Sequence, residues 1–262
     1  MIFDCFSYLD EDLLLDVRLN ILNDYVDYFV VVEGNKTWQN NPKKLIFDIN
    51  KFSKFKNKII YIPVEDLPDG QNPYLRENHQ RNAIVRGLKN ASKDDFILIS
   101  DLDEIPNPDA IKLFNKNMKY AVFRQKHFYY KFNLQSKNFP FWFGTRICVF
   151  KELKSPQWLR DLKFKRYPFW RIDKPRNIQI IQNGGWHFAY LQSPKNISKK
   201  IKSFAHGEFH KEHLVNEKNI QSKIDKGEDV FERGYEIKKV ELDSSFPKFI
   251  LDNRENLKNW IL

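Results

Sequence analysis

Four acidic residues crowd the segment FILISDLDEIPNPDA, Phe96 to Ala110, directly after an apolar run. In an extended segment alternate side chains share a face, so Asp101 and Asp103 are predicted to point the same way, with Leu102 opposite. Carboxylates this close repel one another, so a metal cation, a nearby base or solvent must compensate their charge. Two hard oxygen ligands at a strand end suit Mg²⁺ or Mn²⁺, which also accept water and phosphate oxygens. An acidic surface turn, with Asp103 or Glu104 capping the next helix, is the alternative interpretation.

The segments before these acids alternate between strand and helix patterns. Apolar runs at 1–6, 28–33, 58–64 and 96–100 predict strands. A helix-like pattern at 11–22 lies between the first two strands, and another at 74–90 lies between the last two. We therefore predict an α/β fold with a Rossmann-like, mostly parallel open sheet flanked by helices. Ligands of such sheets bind beyond the carboxyl ends of the strands, so the acids at 10–12, Glu33 and the Asp101 cluster should meet at one rim.

The second half of the chain is less regular. Strand patterns at 120–132, 146–150, 178–181 and 184–191 surround an aromatic loop, NFPFWFGT, and helical patterns follow at 195–205 and 212–224. No linker-like or low-complexity stretch divides the chain. We therefore predict a single domain over 1–262, with a regular half at 1–106 and a less regular half at 107–262.

Length and composition favour a globular protein. A chain of 262 residues can form one large α/β domain, and no segment approaches the roughly 18 apolar residues of a membrane span. The N-terminus lacks the basic and apolar regions of a signal peptide, and the two cysteines are expected to be buried free thiols. These features predict a cytoplasmic protein.

Three blocks of the sequence resemble glycosyltransferase family 17 in order: FSYLDEDLLLDVRLNILNDYVDYFVVVE, ISDLDEIP and GGWHFAYL. The resemblance runs from Phe6 to about Phe209 and fits a bacterial or viral type member of a family that includes the bisecting β-1,4-N-acetylglucosaminyltransferase. It implies a GT-A type fold, a nucleotide-sugar donor with UDP-N-acetylglucosamine as first choice, a divalent metal and inversion at the anomeric carbon. The half at 1–106 would then bind the nucleotide sugar, and the half at 107–262 would face the acceptor.

Matched position by position, the resemblance assigns metal and diphosphate binding to Asp101 and Asp103, of which Asp103 is the stronger candidate for direct coordination. His187 follows a glycine pair that lets the backbone approach a ligand, and it is a further metal ligand or a donor to the diphosphate. A hydrogen-bonded core histidine is an equal alternative there. Glu33, at the end of the second strand, is placed to accept hydrogen bonds from uracil or ribose, unless it is a solvated acid.

The acceptor side needs a base and a surface for the sugar. An inverting transfer requires a group that deprotonates the acceptor hydroxyl, and Glu208 in KKIKSFAHGEF is the first choice, with Asp161 and Asp173 as alternatives. Trp186 and His206 are predicted to form a wall for the acceptor sugar, although core packing is the usual role of a tryptophan. Basic side chains that are candidates for the donor site, or else for a solvated helix face, are Arg76, Arg81, Lys200 and Lys202.

The net charge of +10 leaves two further classes of function to consider. A nucleic-acid-binding module is one, but the lysines are dispersed, so no nucleic acid is expected. A phosphoryl-transfer or hydrolytic enzyme using the same Asp pair is the other, and the chain has no P-loop, nucleophile elbow or HExxH motif. The expected partners are a nucleotide-sugar donor and a saccharide or glycolipid acceptor, with possible peripheral contact at an anionic inner membrane face.

Overall fold

The computed structural model describes residues 1–164, 170, 175 and 178–262. The strands among them are β1 Ile2–Ser7, β2 Tyr28–Gly34, β3 Ile59–Val64, β4 Phe96–Asp101, β5 Glu104–Pro106, β6 Tyr120–Tyr129, β7 Leu134–Ser136, β8 Phe141–Val149, β9 Ile178–Ile181, β10 Gly185–Ala189 and β11 Ile237–Lys239. The α-helices are α1 Asp12–Leu22, α2 Pro73–Asn82, α3 Pro108–Ile111, α4 Pro156–Arg160, α5 Pro194–Ser203, α6 Glu212–Val215, α7 Glu217–Lys226 and α8 Lys248–Asp252. In these parts of the chain, no helix has the length and apolarity needed to cross a lipid bilayer.

The sheet has two halves that differ in strand direction. β1 pairs in parallel with both β2 and β4, and β2 pairs in parallel with β3. Beyond β4 the sheet continues through β8, β6, β7 and β11, and each of these pairings is antiparallel. β9 and β10 return to β6 in parallel, and β10 also pairs antiparallel with β5.

The prediction of a mostly parallel sheet is therefore wrong, because the observed sheet is mixed. The physical reason lies in the connections: β6 and β8 are joined by residues 130–140, a short return that contains β7. Parallel neighbours need a crossover of about a dozen residues or more, usually with a helix, and this segment has no room for one. The apolar runs identified where strands form but carried no information on the direction of their partners.

The parallel half is packed on both faces, as its continuous apolar strands predict. On one face α1 and α8 cover β1, β2 and β4, with Leu15 and Ile250 fully buried. On the other face lie the short helical turn Ala83–Gly87 and α4, against Cys5 and its neighbours. The predicted helix at 74–90 is shorter than expected, because α2 ends at Asn82 and the chain tightens into that 3-10 turn. Both cysteines are buried and free, as expected.

A third apolar cluster belongs to the second half of the chain. Helices α5, α6 and α7 pack on residues of β6 and the following loop, through Ile197, Leu214 and Ile220 against Tyr130. The predicted helix at 212–224 is in fact α6 and α7, since Asn216 interrupts it and caps α7 by accepting from two backbone N–H groups. This cluster holds α5 beside the carboxyl ends of the parallel strands.

Candidate active site

A pocket of about 410 Å³ opens at the carboxyl ends of β1, β2 and β4, and β6, β8, β10 and α5 contribute its other sides. This is the rim where the ligands of parallel sheets bind. Two groups of side chains line it. The charged wall consists of Glu11, Glu77, Asp101, Asp103, Glu104 and Lys200. The aromatic wall consists of Tyr129, Trp142, Phe204, His206, Phe209 and Phe231.

Asp101 and Asp103 both line the pocket, but they contact different bases. Leu102 and Asp103 form a turn rather than the predicted extended segment, and Leu102 belongs to the lining as well. Asp101 accepts hydrogen bonds from Arg81 at 3.2 Å and from Arg160 at 2.7 Å. Asp103 accepts one from Lys200 at 3.0 Å. Burial favours the neutral form of Asp101, but Arg160 and Arg81 outweigh it and lower the pKa of this carboxyl. The repulsion between the two acids is therefore relieved by basic side chains of the protein itself.

Arg160, at the end of α4, is the main counter-charge of the acidic segment. Its two terminal nitrogens each donate to Glu104 at 2.8 Å, and one of them also reaches Asp101. Trp142 donates to the same Glu104 carboxylate at 2.6 Å, which fixes the indole ring at the mouth of the pocket. Although burial opposes its charge, Asp101 and Glu104 raise the pKa of Arg160. This planar, two-pronged geometry is the strongest form of a charged hydrogen bond.

Arg18 supports the same segment from inside the protein. It lies on α1, is fully buried and donates to both carboxylate oxygens of Asp4 on β1, at 2.8 and 2.6 Å. Its third nitrogen donates to the backbone carbonyls of Asp101, Leu102 and Glu104 at 3.0–3.1 Å. A single buried guanidinium thus fixes the curve of the acidic loop, and nothing in the local pattern of α1 indicates that role.

Asp103 and His187 form the part of the site that could bind a cation. One oxygen of Asp103 lies 3.5 Å from Nε2 of His187, and the other accepts from Lys200. Burial raises the pKa of Asp103, but Lys200 and His187 outweigh it and hold the pKa well below its usual range. Nδ1 of His187 is buried and makes no hydrogen bond to any described residue. The Asp103 carboxylate is therefore ionised and faces an imidazole and an ammonium group.

These donors fit a divalent cation in part. Mg²⁺ and Mn²⁺ are commonly held by one or two protein ligands, with waters and phosphate oxygens completing the shell. Asp103 and His187 can supply one oxygen and one nitrogen. The two oxygens of Asp101 are each paired with an arginine. Among the described residues no group of three or more His, Cys, Asp and Glu side chains converges on a metal position. Asp103 and His187 would thus hold the ion, with the remaining ligands from water or substrate.

His127 lies between the two walls, stacked on His187 with the ring centres 4.7 Å apart. Its Nδ1 is 3.2 Å from the backbone carbonyl of Phe139, which can only accept, so Nδ1 carries the proton. Burial lowers the pKa of His127 to about 2, with a further contribution from His187. The ring is therefore neutral at physiological pH, and it packs against Tyr129 and Trp142 of the aromatic wall.

The glycine pair before His187 has a different role from the predicted one. At Gly185 the backbone has φ +126°, and a Cβ there would come within 2.2 Å of the carbonyl oxygen of Ile105. The close approach is therefore made to β5 of the same chain rather than to a ligand. The next residue, Trp186, lies on the opposite face of β10 from His187 and donates to the carbonyl of Ser245 at 3.0 Å. The tryptophan in the aromatic wall is Trp142.

Three of the predicted donor-site residues have structural partners. Glu33 is fully buried and accepts from Lys43, from Tyr61 and from two backbone N–H groups, outside the described lining of the pocket. Arg76 is also buried, and donates to the carbonyls of Trp38 and Gly70 at 2.6 Å. These two side chains shape the loops around the pocket. Arg81 instead connects Glu77 with Asp101 in the charged wall.

Two of the residues predicted for the acceptor side, His206 and Glu208, are in contact. His206 lines the pocket, and its Nδ1 is 3.0 Å from a carboxylate oxygen of Glu208, which is exposed. Asp161 accepts from Gln157 at 2.9 Å, and Lys202 is exposed on α5; neither belongs to the described lining of the pocket. Asp173 lies outside the described residues. The roles assigned to these side chains stay predictions.

Comparison with known proteins agrees with the sequence blocks. The sequence profile of glycosyltransferase family 17 matches residues 1–237. The β-1,4-mannosyl-glycoprotein 4-β-N-acetylglucosaminyltransferases of Rattus norvegicus and Homo sapiens are each 27% identical to the chain over 226 residues. These alignments cover 75% of this chain, but 41% of the rat protein and 42% of the human one. The chain thus spans less than half the length of these relatives.

The match to the family profile includes every described strand of the parallel half, the acidic segment and the two residues that could hold a cation. It continues through α5 and α7 to the start of β11. The chain therefore belongs to glycosyltransferase family 17.

Proposed function

We propose that the protein is a glycosyltransferase that moves N-acetylglucosamine from UDP-N-acetylglucosamine to a hydroxyl group of a saccharide or lipid-linked glycan. The observation that carries the proposal is the cluster of Asp103, His187 and Lys200 at the strand-end pocket of a family 17 chain. The relatives from rat and human are named as N-acetylglucosaminyltransferases, which supports the choice of donor sugar.

The donor would lie with its diphosphate against the charged wall. An ammonium from Lys200 and a divalent ion held by Asp103 and His187 offer positive charge there, and both suit phosphate oxygens. When bound, Mn²⁺ or Mg²⁺ would stabilise the negative charge that develops on the departing diphosphate. Trp38 and Gln80 line the pocket where β2 and α2 meet, and they are linked by a 2.8 Å hydrogen bond. We assign the nucleoside to this side, because an indole face can stack on a base.

The acceptor would lie along the aromatic wall. Sugar rings have apolar faces that pack on aromatic side chains, and Trp142 and Phe209 combine exposed ring surface with a place in the pocket. The amide group of N-acetylglucosamine and the hydroxyls of the acceptor would find polar partners at its edges, in His206 and Arg233. In this proposal the bond to be formed lies between the two walls.

The transfer with inversion is a single displacement at the anomeric carbon. The bond from C1 to the diphosphate oxygen breaks, the bond from C1 to the acceptor oxygen forms, and the UDP leaves with the electron pair. The acceptor proton goes to a base, for which we propose the pair of Glu208 and His206. An ionised Glu208 accepts from Nδ1–H of His206, so Nε2 has a free lone pair for the acceptor hydroxyl.

The experiment that tests this function is a titration of the protein with UDP-sugars, with and without Mn²⁺, followed by thermal unfolding and product analysis. A ligand that binds the native state raises its apparent stability, and UDP-N-acetylglucosamine is expected to raise it most. Asp103→Asn removes the ionised carboxylate and should reduce transfer at least about a hundredfold while the fold is retained. The matched control, Asp109→Asn, changes an exposed acid of the same segment and should leave transfer unchanged.

Two results would contradict the proposal. One is a failure of every nucleotide sugar to stabilise the wild-type protein. The other is full transfer by Asp103→Asn, which would leave the Asp103, His187 and Lys200 cluster without a part in the reaction. Full transfer by the wild type in excess EDTA would remove the divalent ion from the proposal and leave the transfer itself.

A further inference from the structure

Lys200 connects the two halves of the charged wall. Its ammonium lies 3.0 Å from Oδ2 of Asp103 and 3.2 Å from an oxygen of Glu11. Its side chain is 22% exposed, and those of the two acids are 10% and 6% exposed. The pocket therefore contains a protein cation at the same carboxylate that a divalent ion would use. The sequence indicated basic residues on this helix but did not distinguish Lys200 from its neighbours.

The position of this ammonium is fixed by the fold. Helix α5 packs through Ile197 and Ile201, which are fully buried. Lys200 lies about one helical turn after Ile197, and its side chain lines the pocket. The ammonium also lies over the ring of Tyr190, 5.7 Å from its centre. By contrast, Lys195 on the same helix is exposed to solvent. Lys200 is thus held at Asp103 by packing as well as by charge.

A divalent ion and this ammonium would compete for the same group. A metal ion bound by Asp103 and His187 would lie about 2 Å from a carboxylate oxygen. The other oxygen of that carboxylate already accepts from Lys200. Two positive charges on one carboxylate repel each other, and the repulsion is stronger in a partly buried pocket than in water. In the observed arrangement, Lys200 therefore opposes the binding of a divalent ion.

We propose that Lys200 is a counter-ion that competes with the divalent cation for Asp103 and moves to the donor's diphosphate when the donor binds. This inference rests on the proposed function, because it assumes a nucleoside diphosphate in the pocket. Without a donor, the ammonium neutralises Asp103 and Glu11 and keeps affinity for the metal low. With a donor, the phosphate oxygens give the ammonium a new partner, so metal and donor strengthen each other's binding.

The first test measures the binding of Mn²⁺ alone, by calorimetry or by electron paramagnetic resonance of the free ion. Lys200→Met removes the competing charge and keeps most of the unbranched side chain, so its affinity for Mn²⁺ should be at least about tenfold higher than that of the wild type. Lys195→Met makes the same change of net charge on the same helix and should bind Mn²⁺ like the wild type. Equal affinity of Lys200→Met and wild type, including no binding by either, would overturn the proposal.

The second test measures the binding of UDP in EDTA, where only protein cations can hold the diphosphate. Lys200→Met should bind UDP about tenfold more weakly than the wild type, and Lys200→Arg should retain most of the affinity. Unchanged UDP binding by Lys200→Met would show that the ammonium does not reach the diphosphate. Sugar transfer is assayed separately. If the wild type transfers sugar but Lys200→Met binds Mn²⁺ with unchanged affinity, this inference is refuted and the proposed function is retained. Thermal unfolding confirms that each variant is folded.

Discussion

The two walls of the pocket differ in burial and in how completely their polar groups are paired. In the charged wall, Asp103 and Glu104 are 10% and 1% exposed, and each has a basic partner of the same chain. In the aromatic wall, Trp142 is 40% exposed, and His206 and Phe209 also contact solvent. In the charged wall each carboxylate has a basic partner before any ligand binds, whereas the aromatic wall presents exposed ring surface at Trp142 and Phe209.

This difference fits two kinds of recognition. Preorganised charges stabilise a developing charge well, because they need no rearrangement at the moment of reaction. In the proposed function, the basic side chains of this wall would face the diphosphate, which is the same in every nucleoside diphosphate sugar. Exposed rings stack on the apolar faces of sugars, and this contact is less directional than a hydrogen bond. Such a surface can therefore bind glycans that differ in the sugars next to the acceptor. We therefore expect mutations of the charged wall to affect stability and donor binding, and mutations near the aromatic wall to affect the acceptor step.

The strongest test of this comparison is the removal of the main counter-charge. Arg160→Ala leaves Glu104 without its guanidinium partner and Asp101 with Arg81 alone, and Glu104 is almost completely buried. Removing one partner of a buried ion pair leaves the other charge uncompensated, and this commonly lowers the free energy of unfolding by about 3–5 kcal/mol. We expect a loss in this range, measured by urea or guanidinium denaturation at pH 7.

The control for this variant is an exposed pair of the same type. Arg86 makes two hydrogen bonds to Asp66 at the surface, at 2.9 and 2.6 Å. Arg86→Ala should lower the free energy of unfolding by about 1 kcal/mol or less, because exposed pairs contribute little. Similar small losses in Arg160→Ala and Arg86→Ala would contradict the description of the charged wall as a buried network.

The charged wall also shows how far the sequence could predict this site. Asp101, Asp103 and His187 were found because the acids follow an apolar strand directly and the histidine lies in a recognisable block. Arg160 and Arg18 were missed, since each reaches the acidic segment from a helix far away in the chain. A lone arginine in a short helix has no local pattern that distinguishes burial from exposure. The sequence left three ways to compensate the charge of the crowded carboxylates: a metal cation, a nearby base or solvent. The structure shows basic side chains of the protein paired with them.

The fold was predictable to a similar degree. The apolar runs gave the positions of β1 to β4, because strands buried on both faces are apolar throughout. The direction of β8 depends on the short return from β6, which is a tertiary feature. The face of each residue in β10 depends on its register with β6 and β5, so Trp186 was expected in the pocket although its neighbour His187 lines it instead. A register error of one residue exchanges the two faces of a strand.

A second prediction concerns the acceptor side. Glu208→Gln keeps the size of the side chain but removes the charge that orients His206. General-base catalysis commonly contributes a factor of about a hundred or more, so the turnover number should fall about a hundredfold. The dissociation constant of the donor should not change, because Glu208 lies outside the described lining of the pocket. The measurement is initial-rate kinetics at saturating donor, together with calorimetry for donor binding.

Glu212→Gln is the matched control, since it removes an exposed carboxylate a few residues further along the chain. It should retain wild-type turnover. If Glu208→Gln also retains it, the base lies elsewhere and the pair of Glu208 and His206 has no chemical role. If Glu208→Gln instead weakens donor binding, the division between a donor wall and an acceptor wall fails.

The smallest predicted effect concerns His127, the ring between the two walls, and it appears as a pH dependence of stability. The pKa of His127 is about 2 in the folded protein, because of burial and the neighbouring His187, whereas an unfolded histidine has a pKa of about 6.5. Between these values the unfolded chain binds a proton at this residue that the native state does not. This contribution to stability is therefore complete above about pH 6.5 and is lost as the pH falls, by about 1.4 kcal/mol per pH unit.

His127→Gln keeps a donor for the carbonyl of Phe139 and cannot be protonated. The free energy of unfolding of this variant, measured from pH 7 to pH 5, should therefore fall less steeply than that of the wild type. His213→Gln, a change at a half-exposed histidine outside the pocket, should retain the wild-type slope. Equal slopes for the wild type and His127→Gln would mean that the folded protein accommodates a charged His127. The ring would then belong to the charged wall, and the boundary between the two walls would lie at Trp142 and Tyr129.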